Sequence, residues 1–291
     1  MAHAALFGMI IPGVASQVLA AELASETDRP LLSVARDQFP DGERIVELET
    51  APGEAAIIVA STVSSDAHID LLLLQDAARE EGVTELITVI PYLGYARQDS
   101  AFESGQPVSV RAMARAISTG TDRVITVNPH EPGVIDHFGV PAEAVDATGS
   151  LAAGLPDDLH SPVFLGPDAG ARSLASRLRD LHGTGTADHL EKIRHSGRRV
   201  EISPTDASIS DRDVVLVDDI IATGGTMVEA IHTLRNQGAN RIIVTTVHPL
   251  LAEDAYARLK QAGIDMLVGT DTLERPVSTV SVAGAVTEAL F

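Results

Sequence analysis

Short apolar runs alternate with amphipathic stretches along almost the whole chain of 291 residues. The run EAAIIVAST is followed by HIDLLLLQDAAREEG, ELITVIPYL by VRAMARAISTG, and DVVLVDD by MVEAIHTLRNQG. Apolar runs of this length are typical of strands buried on both faces, and the longer segments have the spacing of helices. The alternation predicts βαβ units and an α/β fold with parallel sheets. Because ligands of such sheets bind at the carboxyl ends of strands, the residues after each run are the candidates for a site.

Two domains are expected, because the chain is longer than one hydrophobic core usually organises. The segments 120–133 (GTDRVITVNPHEPG) and 238–251 (GANRIIVTTVHPLL) share a Gly-x-x-Arg turn, an apolar strand and a His-Pro or Pro-His exit. This similarity indicates either two similar halves or a chance likeness of two βα units. We predict an N-terminal domain of residues 1–142, joined by a C-terminal helix over 280–291, and a C-terminal domain of residues 143–279.

Composition narrows the possible partners. With 45% hydrophobic but only 3% aromatic residues, the interior must be aliphatic. The formal charge of −20 opposes binding to nucleic acid or to an anionic membrane, so an anionic ligand requires a local basic site. Strong acidity with only two lysines, Lys192 and Lys260, resembles proteins of salt-loving organisms. The chain has no cysteine, which excludes disulfides and thiolate chemistry.

The N-terminal segment ALFGMIIPGVASQVLAAE could be taken for a signal peptide. No basic residue precedes its apolar part, and Pro12 and Gly13 interrupt it, so a strand followed by a helix is the better interpretation. We therefore expect a cytoplasmic protein.

The stretch VVLVDDIIATGGTMVEA (214–230) predicts a buried strand, Val214–Val217, with Asp218 and Asp219 emerging at its end. Small residues then allow backbone N–H groups to approach a phosphate at the start of a helix, and paired carboxylates suit a vicinal diol. Together these features indicate a sugar phosphate. The alternative is that Asp219 caps a turn and the glycines end a strand. The predicted phosphate loop consists of Ala222, Thr223, Gly224, Gly225 and Thr226.

Two other segments carry side chains suited to a nucleotide. Arg97 follows the predicted strand of IPYLGYARQDS, where its planar guanidinium could bind a triphosphate or could simply pair with an aspartate on the surface. In FPDGE, Phe39 could stack on a base while Asp41 and Glu43 accept from an exocyclic amine. The commoner meaning of Asp-Gly is a turn between two strands.

Further candidates follow three other runs. His130 ends RVITVNPH and could contact a phosphate or a metal. Asp168 follows PVFLG and could be a helix N-cap, a ligand, or both. The basic cluster of HLEKIRHSGRR lies beside HGTGTADH, a composition suited to a mobile loop, although a run of charges is usually a solvated face. The members of this cluster are Lys192, Arg194, Arg198 and Arg199.

In this order, FPDGERIVEL, PYLGYARQDS, VNPHEPGVIDHFGVP, GPDAG and LEKIRHSGR resemble the ribose-phosphate diphosphokinase (phosphoribosyl diphosphate synthase) family, in particular archaeal members from salt-loving organisms. The 214–230 motif is shared with type I phosphoribosyltransferases, which lack the PYLGYARQD segment. The resemblance implies two similar phosphoribosyltransferase-type domains, each with a mainly parallel sheet flanked by helices. It also implies transfer of the diphosphoryl group of ATP to ribose 5-phosphate, with Mg²⁺.

The resemblance assigns a role to each candidate. Ribose 5-phosphate would contact Asp218, Asp219 and the phosphate loop, magnesium would be held by His130 and Asp168, and Lys192 and Arg194 would be catalytic. A homo-oligomer is implied, because in the family the FPDGE loop reaches the ATP site of the neighbouring subunit. The implied ATP contacts are Phe39, Asp41, Glu43, Arg97, Gln98 and His130.

Two residues depart from the family pattern, which commonly has aspartate at both positions. They are Asn128, two residues before the histidine, and Ala222, in the phosphate loop. A neutral amide is a poorer magnesium ligand than a carboxylate. A non-catalytic regulatory paralogue is therefore one alternative. A phosphoribosyltransferase is another, although its single small domain would leave residues 1–140 unexplained.

The acidic composition leads to a test on the whole protein. We expect the temperature of thermal unfolding to rise from low-salt buffer to molar KCl, because salt screens repulsion among the carboxylates. Circular dichroism at both salt levels measures this shift, and full stability without added salt would contradict the interpretation.

Overall fold

A computed structural model describes residues 8–194, 200–204 and 207–291. The chain divides into two compact units. The first unit consists of Met1–Asp146, Asp271–Glu274 and Ser281–Phe291, and the second of Ala147–Thr270 and Arg275–Val280. None of the helices in the described ranges is long and apolar enough to cross a membrane.

The first unit is built on a parallel sheet with the strand order β1-β4-β5-β6-β7 and on a separate antiparallel pair, β2 with β3. Its elements in chain order are β1 (Met9–Pro12), α1 (Gln17–Thr27), β2 (Val34–Gln38), β3 (Arg44–Leu48), β4 (Ala55–Val59), α2 (Ser65–Glu80), β5 (Glu85–Ile90), α3 (Ser109–Ser118), β6 (Arg123–Val127), a 3-10 helix (Pro132–His137) and β7 (Ala142–Val145).

The second unit has a seven-stranded sheet with the order β10-β9-β8-β11-β12-β13-β14, parallel except for the antiparallel β9–β10 pair. Its elements are α4 (Thr148–Ala153), β8 (Val163–Gly166), α5 (Arg172–His182), β9 (Thr186–Arg194), β10 (Val200–Pro204), β11 (Val214–Ile220), α6 (Gly225–Asn236), β12 (Ile242–His248), α7 (Ala255–Gln261), β13 (Met266–Thr270) and β14 (Ser278–Val280). The last helix, α8 (Ala283–Leu290), belongs to the first unit.

Aliphatic strands form both cores, as the composition indicates. Every residue of β4 (AAIIV) is buried, and so is every residue of β12 (IIVTTVH). Strands covered on both faces carry continuous apolar runs, which explains why the sequence shows runs rather than alternation. The predicted α/β fold with mainly parallel sheets is confirmed.

The two units repeat one order of elements. Apart from α4, which precedes β8 in the second unit, each unit has a strand and a helix, then an antiparallel pair, and then a strand, a helix, a strand and a helix before its last two strands. By this order β4–α2–β5 corresponds to β11–α6–β12. The similarity between segments 120–133 and 238–251 compares β6 with β12, which hold different places in their sheets. The similarity of these two segments is therefore a chance likeness. The evidence that the chain has two similar halves is the shared order of strands and helices.

The division between the units falls after Asp146, because β7 pairs with β6 in the first sheet. The predicted limit of 142/143 lies inside that strand. Residues 271–274 return to the first unit, where Asp271 accepts hydrogen bonds from Ser281 Oγ (2.6 Å) and from the Val282 amide (2.9 Å). The Arg123 guanidinium donates to the Ala289 carbonyl (2.7 Å), which ties the C-terminal helix α8 to β6.

One buried carboxylate joins the starts of three strands in the second unit. Asp213 directly precedes β11 and accepts from the His160 amide (2.8 Å), from Asn240 Nδ2 (2.7 Å) and from Arg241 Nη2 (2.6 Å). Burial alone would raise the pKa of Asp213, but the hydrogen bonds from Arg241, His160 and Asn240 outweigh it and hold the pKa below its usual value. The native state thus favours the ionised carboxylate.

We expect Asp213→Asn to lower the free energy of unfolding by roughly 1–3 kcal/mol at neutral pH, because a neutral amide at this buried position cannot accept all the hydrogen bonds that the carboxylate accepts. A lowered native pKa stabilises the fold above the unfolded value of about 4, and this contribution is lost as pH falls through the native pKa. Urea titrations should therefore show a smaller difference between variant and native protein near pH 3. An equal difference at both pH values would contradict the assignment.

Candidate functional site

In the second unit the predicted aspartates lie at the carboxyl ends of adjacent strands. Asp168 follows β8, and Asp218 and Asp219 are among the last three residues of β11. The strands β8 and β11 pair directly with each other. The strand does not end at Val217 as predicted. It continues to Ile220, because Asp218 opposes Thr246 in the ladder with β12.

These carboxylates lie close enough to repel one another. Burial, the charge of Asp219 and the charge of Asp168, in this order, raise the pKa of Asp218 to about 8. Asp218 Oδ1 also accepts the amide of Asp219 (3.0 Å), which partly offsets the rise. A group of carboxylates held in this way can accept hydrogen bonds from hydroxyl groups or contact a hard cation.

The predicted phosphate loop is divided between a turn and a helix. Gly225 and Thr226 lie in the first turn of α6, and Gly224 is its N-cap, with a left-handed φ of 72° that disfavours other residues. Thr223 and Thr226 are exposed, and the carbonyl of Ala222 accepts the Ala252 amide (3.0 Å). No side chain in the described part of the chain caps α6. Its first N–H groups are thus free of a side-chain acceptor, as an anion site requires.

The corresponding helix of the first unit is different. Ser64 caps α2 by accepting the Ala67 amide (3.1 Å), and Asp66 adds a negative charge to its first turn. The positive end of this helix is already occupied by the protein's own oxygen atoms. Of these two corresponding helices, α6 is the one suited to a phosphate.

Asp168 is not the N-cap of α5, which is Ala171. Instead its Oδ1 accepts the amides of Gly170 (2.9 Å) and Ala171 (3.3 Å), so that the side chain closes a tight turn before the helix. A Cβ at Gly166 would lie 2.9 Å from Ala171 Cβ, so this turn requires glycine at that position. Asp168 itself is exposed at the sheet edge, where a ligand could reach its remaining oxygen.

One basic residue near the phosphate loop was missed in the sequence. Arg258 lies on α7, and its Nη2 is 3.7 Å from the position of a Cβ on Gly225. Its Nη1 lies 3.7 Å from Asp254 Oδ1, one helical turn earlier. Only the packing of α7 beside α6 brings Arg258 to this loop, and no local motif marks it.

The predicted catalytic residues lie on β9. Lys192 and Arg194 pair through their backbones with Ile202 and Val200 of β10. Their side chains, together with Arg198 and Arg199 of the same cluster, lie outside the described residues. The prediction that the Gly-Thr-rich segment HGTGTADH forms a mobile loop is wrong for its second half. The strand β9 begins at Thr186 and pairs in parallel with β8 as far as His189. The catalytic role stays a prediction.

In the first unit, Arg97 and Gln98 follow β5, and His130 follows β6. These strands are neighbours in a parallel sheet, so their exits share one edge. Arg97 and His130 are exposed, and Gln98 Oε1 accepts the Ser109 hydroxyl at the start of α3. The structure thus brings these three predicted nucleotide contacts to the same edge.

The turn before Arg97 is tightly packed. The amide of Gly94 donates to Thr62 Oγ1 (2.9 Å), and a Cβ at Gly94 would overlap the Thr62 carbonyl oxygen. Tyr95 has a left-handed φ of 63°, and its hydroxyl lies 2.8 Å from Ser65 Oγ. Its ring packs at 5.3 Å from that of His68, whose pKa burial lowers to about 4. The neutral imidazole of His68 thus packs against the turn that leads from β5 to Arg97.

The FPDGE segment forms the tip of the hairpin between β2 and β3. The Phe39 amide donates to the Glu43 carbonyl (2.8 Å), the Gly42 amide donates to the Phe39 carbonyl (2.9 Å), and Gly42 has a φ of 98°. This is the Asp-Gly turn that the dipeptide indicates. It leaves Phe39 half-exposed and both Asp41 and Glu43 exposed, so the turn also presents the predicted base contacts.

Asn128 has a structural role that an aspartate could not fill. Its φ is 34°, and its Nδ2 donates to Asp146 Oδ1 (3.0 Å) after β7. A carboxylate at position 128 would repel Asp146 instead. In the described ranges no group of three or more His, Asp and Glu side chains has the arrangement of a metal site. A Mg²⁺ ion held by one or two carboxylates usually takes its other oxygens from water and substrate phosphates.

Comparison with known proteins covers both units. The profile of the N-terminal domain of ribose phosphate pyrophosphokinase matches residues 8–120, and that of the phosphoribosyl transferase domain matches residues 142–273. The chain is 57% identical over 283 residues to a ribose-phosphate pyrophosphokinase of Halobacterium salinarum, covering 97% of this chain and 100% of that one. It is 44% identical over 276 residues to one of Methanopyrus kandleri, covering 94% of each chain.

The fold matches a solved structure along the whole chain. Phosphoribosylpyrophosphate synthetase from Mycobacterium smegmatis superposes with a TM-score of 0.83, covering 98% of this chain and 97% of that one, at 24% sequence identity. At this identity the match shows the fold, with two phosphoribosyltransferase-type domains.

The raised pKa of Asp218 gives a test of the carboxylate group. The native state keeps this proton over a pH range in which the unfolded chain has lost it, so its contribution to stability falls as pH rises to about 8. Asp218→Asn removes this penalty. We expect the ligand-free variant to be more stable than the native protein above that pH, by about 0.5–2 kcal/mol, and the gain to be smaller in mild acid.

Thermal unfolding of both proteins across this pH range measures the gain. Asp157→Asn, which changes an exposed aspartate of the same unit, is the matched control and should show no such pH dependence. A native protein that is more stable than Asp218→Asn at every pH would contradict the predicted repulsion.

Proposed function

Because the chain belongs to the ribose-phosphate pyrophosphokinase family, we propose that it transfers the diphosphoryl group of ATP to the C1 hydroxyl of ribose 5-phosphate, giving phosphoribosyl diphosphate and AMP. The observation that carries this proposal is the 57% identity that spans 97% of the chain and hence both units. A phosphoribosyltransferase would account for the second unit alone.

Ribose 5-phosphate binds in the second unit in this proposal. The uncapped start of α6 receives the 5-phosphate, with Thr223, Thr226 and the backbone N–H groups as donors. Side-chain oxygens of Asp218 and Asp219 accept from the two ring hydroxyl groups. The glycines at 224 and 225 allow close approach, and Ala222 contributes backbone only.

ATP binds to the first unit in this proposal. Arg97 and Gln98 at the exit of β5 and His130 at the exit of β6 contact the triphosphate, and the hairpin tip contacts the adenine. An exposed Phe39 can stack on a base, and the carboxylates of Asp41 and Glu43 can accept from its amino group. In the homo-oligomer that the family resemblance implies, this tip reaches the site of a neighbouring subunit.

The reaction is an in-line displacement at phosphorus. The C1 oxygen attacks the β-phosphorus, the bond from this phosphorus to the oxygen of AMP breaks, and the C1 hydroxyl releases its proton to solvent. Charge grows on the transferred oxygens, so fixed positive charge lowers the barrier most effectively. Lys192 and Arg194 on β9 supply that charge in this proposal.

Magnesium fits the chemistry of the available donors. The carboxylate of Asp168 is one of the charges that raise the pKa of Asp218, and hard oxygen ligands of this kind suit Mg²⁺. Asp168 is the proposed protein ligand in the second unit, and His130 is a separate proposed metal contact in the first. When bound, the ion would offset negative charge on the phosphates and on these carboxylates.

The composition supports a cytoplasmic protein adapted to high salt. A charge of −20 on 291 residues gives a solvated acidic surface, and a relative 57% identical comes from Halobacterium salinarum. Activity assays should therefore be made in molar KCl as well as in low salt.

One assay tests the proposed function against its alternatives. The purified protein is incubated with ATP, Mg²⁺ and ribose 5-phosphate, and AMP and phosphoribosyl diphosphate are measured. Formation of both in equal amounts supports the proposal. If no AMP forms at low salt or in molar KCl, a non-catalytic paralogue is favoured. If the protein instead releases diphosphate when given phosphoribosyl diphosphate and a base, a transferase is favoured.

Lys192→Ala tests the catalytic assignment. We expect kcat to fall by about 10²–10³-fold, as on removal of a preorganised charge stabiliser, while ribose 5-phosphate still binds. Asp219→Ala should instead mainly weaken the binding of ribose 5-phosphate. Lys260→Ala is the matched control, since it removes the other lysine, which is exposed on α7. Unchanged AMP release by Lys192→Ala would refute the assignment.

A further inference from the structure

The hairpin of β2 and β3 lies outside the parallel sheet of its unit and has only two strands. A two-stranded hairpin alone is at best marginally stable in water, so its position depends on what it packs against. Val34, Val46 and Leu48 are partly buried against the core of the first unit. Arg36 opposes Val46 in the ladder, so a charged residue lies in this apolar row close to the tip.

Arg36 has a buried partner on α2. Its Nε donates to Asp70 Oδ1 (2.8 Å) and its Nη2 approaches Asp70 Oδ2 (3.3 Å), a two-pronged arrangement that fixes direction as well as distance. The side chain of Asp70 is 2% exposed and that of Arg36 is 20% exposed. A carboxylate so deeply buried requires this partner.

The same carboxylate also holds the exit of β1. The Val14 amide donates to Asp70 Oδ2 (3.0 Å), and Arg36 Nη2 donates to the Pro12 carbonyl (2.7 Å). Asp70 and Arg36 therefore join three elements at one point: the hairpin, helix α2 and the end of the edge strand β1. Arg36 lies in β2 three residues before Phe39, so the junction of these elements is close to the hairpin tip.

A second, more exposed pair supports the other strand of the hairpin. Arg44 Nη2 donates to Asp66 Oδ2 (2.6 Å), and the Asp66 side chain is 73% exposed. Asp66 and Asp70 are one helical turn apart on α2, so one helix face holds both strands next to the tip. Because solvent screens the exposed pair, the buried pair fixes the position more strongly.

We propose that Asp70 and Arg36 are positioning residues for ATP, which hold the hairpin so that Phe39, Asp41 and Glu43 meet the adenine. This inference rests on the proposed function, and it adds two residues that touch no substrate. Displacing the tip weakens binding of ATP, whereas the second unit, which binds ribose 5-phosphate, is unaffected.

The test uses Asp70→Asn and the milder Arg36→Lys, which keeps the charge but loses the two-pronged contact. We expect KM for ATP to rise about tenfold or more, while KM for ribose 5-phosphate and kcat at saturating ATP stay within about twofold. Asp213→Asn is the matched control, because it alters an arginine–aspartate pair of the second unit whose aspartate is likewise buried. It should lower stability and leave both KM values unchanged.

Hydrogen exchange gives a measurement that does not depend on activity. The amides of Phe39 and Gly42 close the hairpin tip, and we expect both to exchange faster in Asp70→Asn and Arg36→Lys but not in Asp213→Asn. If Asp70→Asn does not fold, Arg36→Lys decides. An unchanged KM for ATP in a folded variant, or an equal rise in both KM values, would overturn the inference.

The native protein is assayed in parallel. If it releases no AMP, the proposed function fails, and the exchange data still report whether the pair holds the hairpin. If it releases AMP and the variants keep a native KM for ATP, the inference fails while the proposed function stands.

Discussion

Parallel pairing of aliphatic strands is the constraint on which the rest of this structure depends. A parallel strand cannot be joined to its neighbour by a tight turn, so each connection must cross back over the sheet, here mostly through a helix. All parallel strands of one sheet then end at the same edge, and the polar residues that follow them are collected there. The exits of β5 and β6 in the first unit, and of β8 and β11 in the second, are examples.

This arrangement disfavours the ionised form of Asp218. Three carboxylates at one sheet edge repel each other, and burial makes the repulsion stronger, which is why the pKa of Asp218 rises to about 8. A protein selected for stability alone would not keep such a group. Its presence at a strand exit, beside the carboxylates of Asp219 and Asp168, is a physical indication of function that does not depend on any relative.

The sequence predicted what local chemistry controls. Continuous apolar runs indicated the buried strands, the Asp-Gly dipeptide indicated the turn after Phe39, and the small residues from Ala222 to Thr226 indicated the loop that opens α6. What it did not predict depends on distant partners. The β9 strand forms where a loop was expected because β8 pairs along its first residues, and Arg36 meets Asp70 although 34 positions separate them in the chain.

The two units also place one order of strands and helices twice in the same chain. In one copy the hydroxyl of Ser64 closes the start of the helix after the second parallel strand, and in the other Gly224 leaves it open. Architecture is nearly constant between them, so it does not by itself make one copy better suited to a phosphate than the other. The difference between the two copies therefore lies in the residues at the helix start, where the Ser64 hydroxyl and the Asp66 carboxylate lie at one and the small residues of the phosphate loop lead into the other.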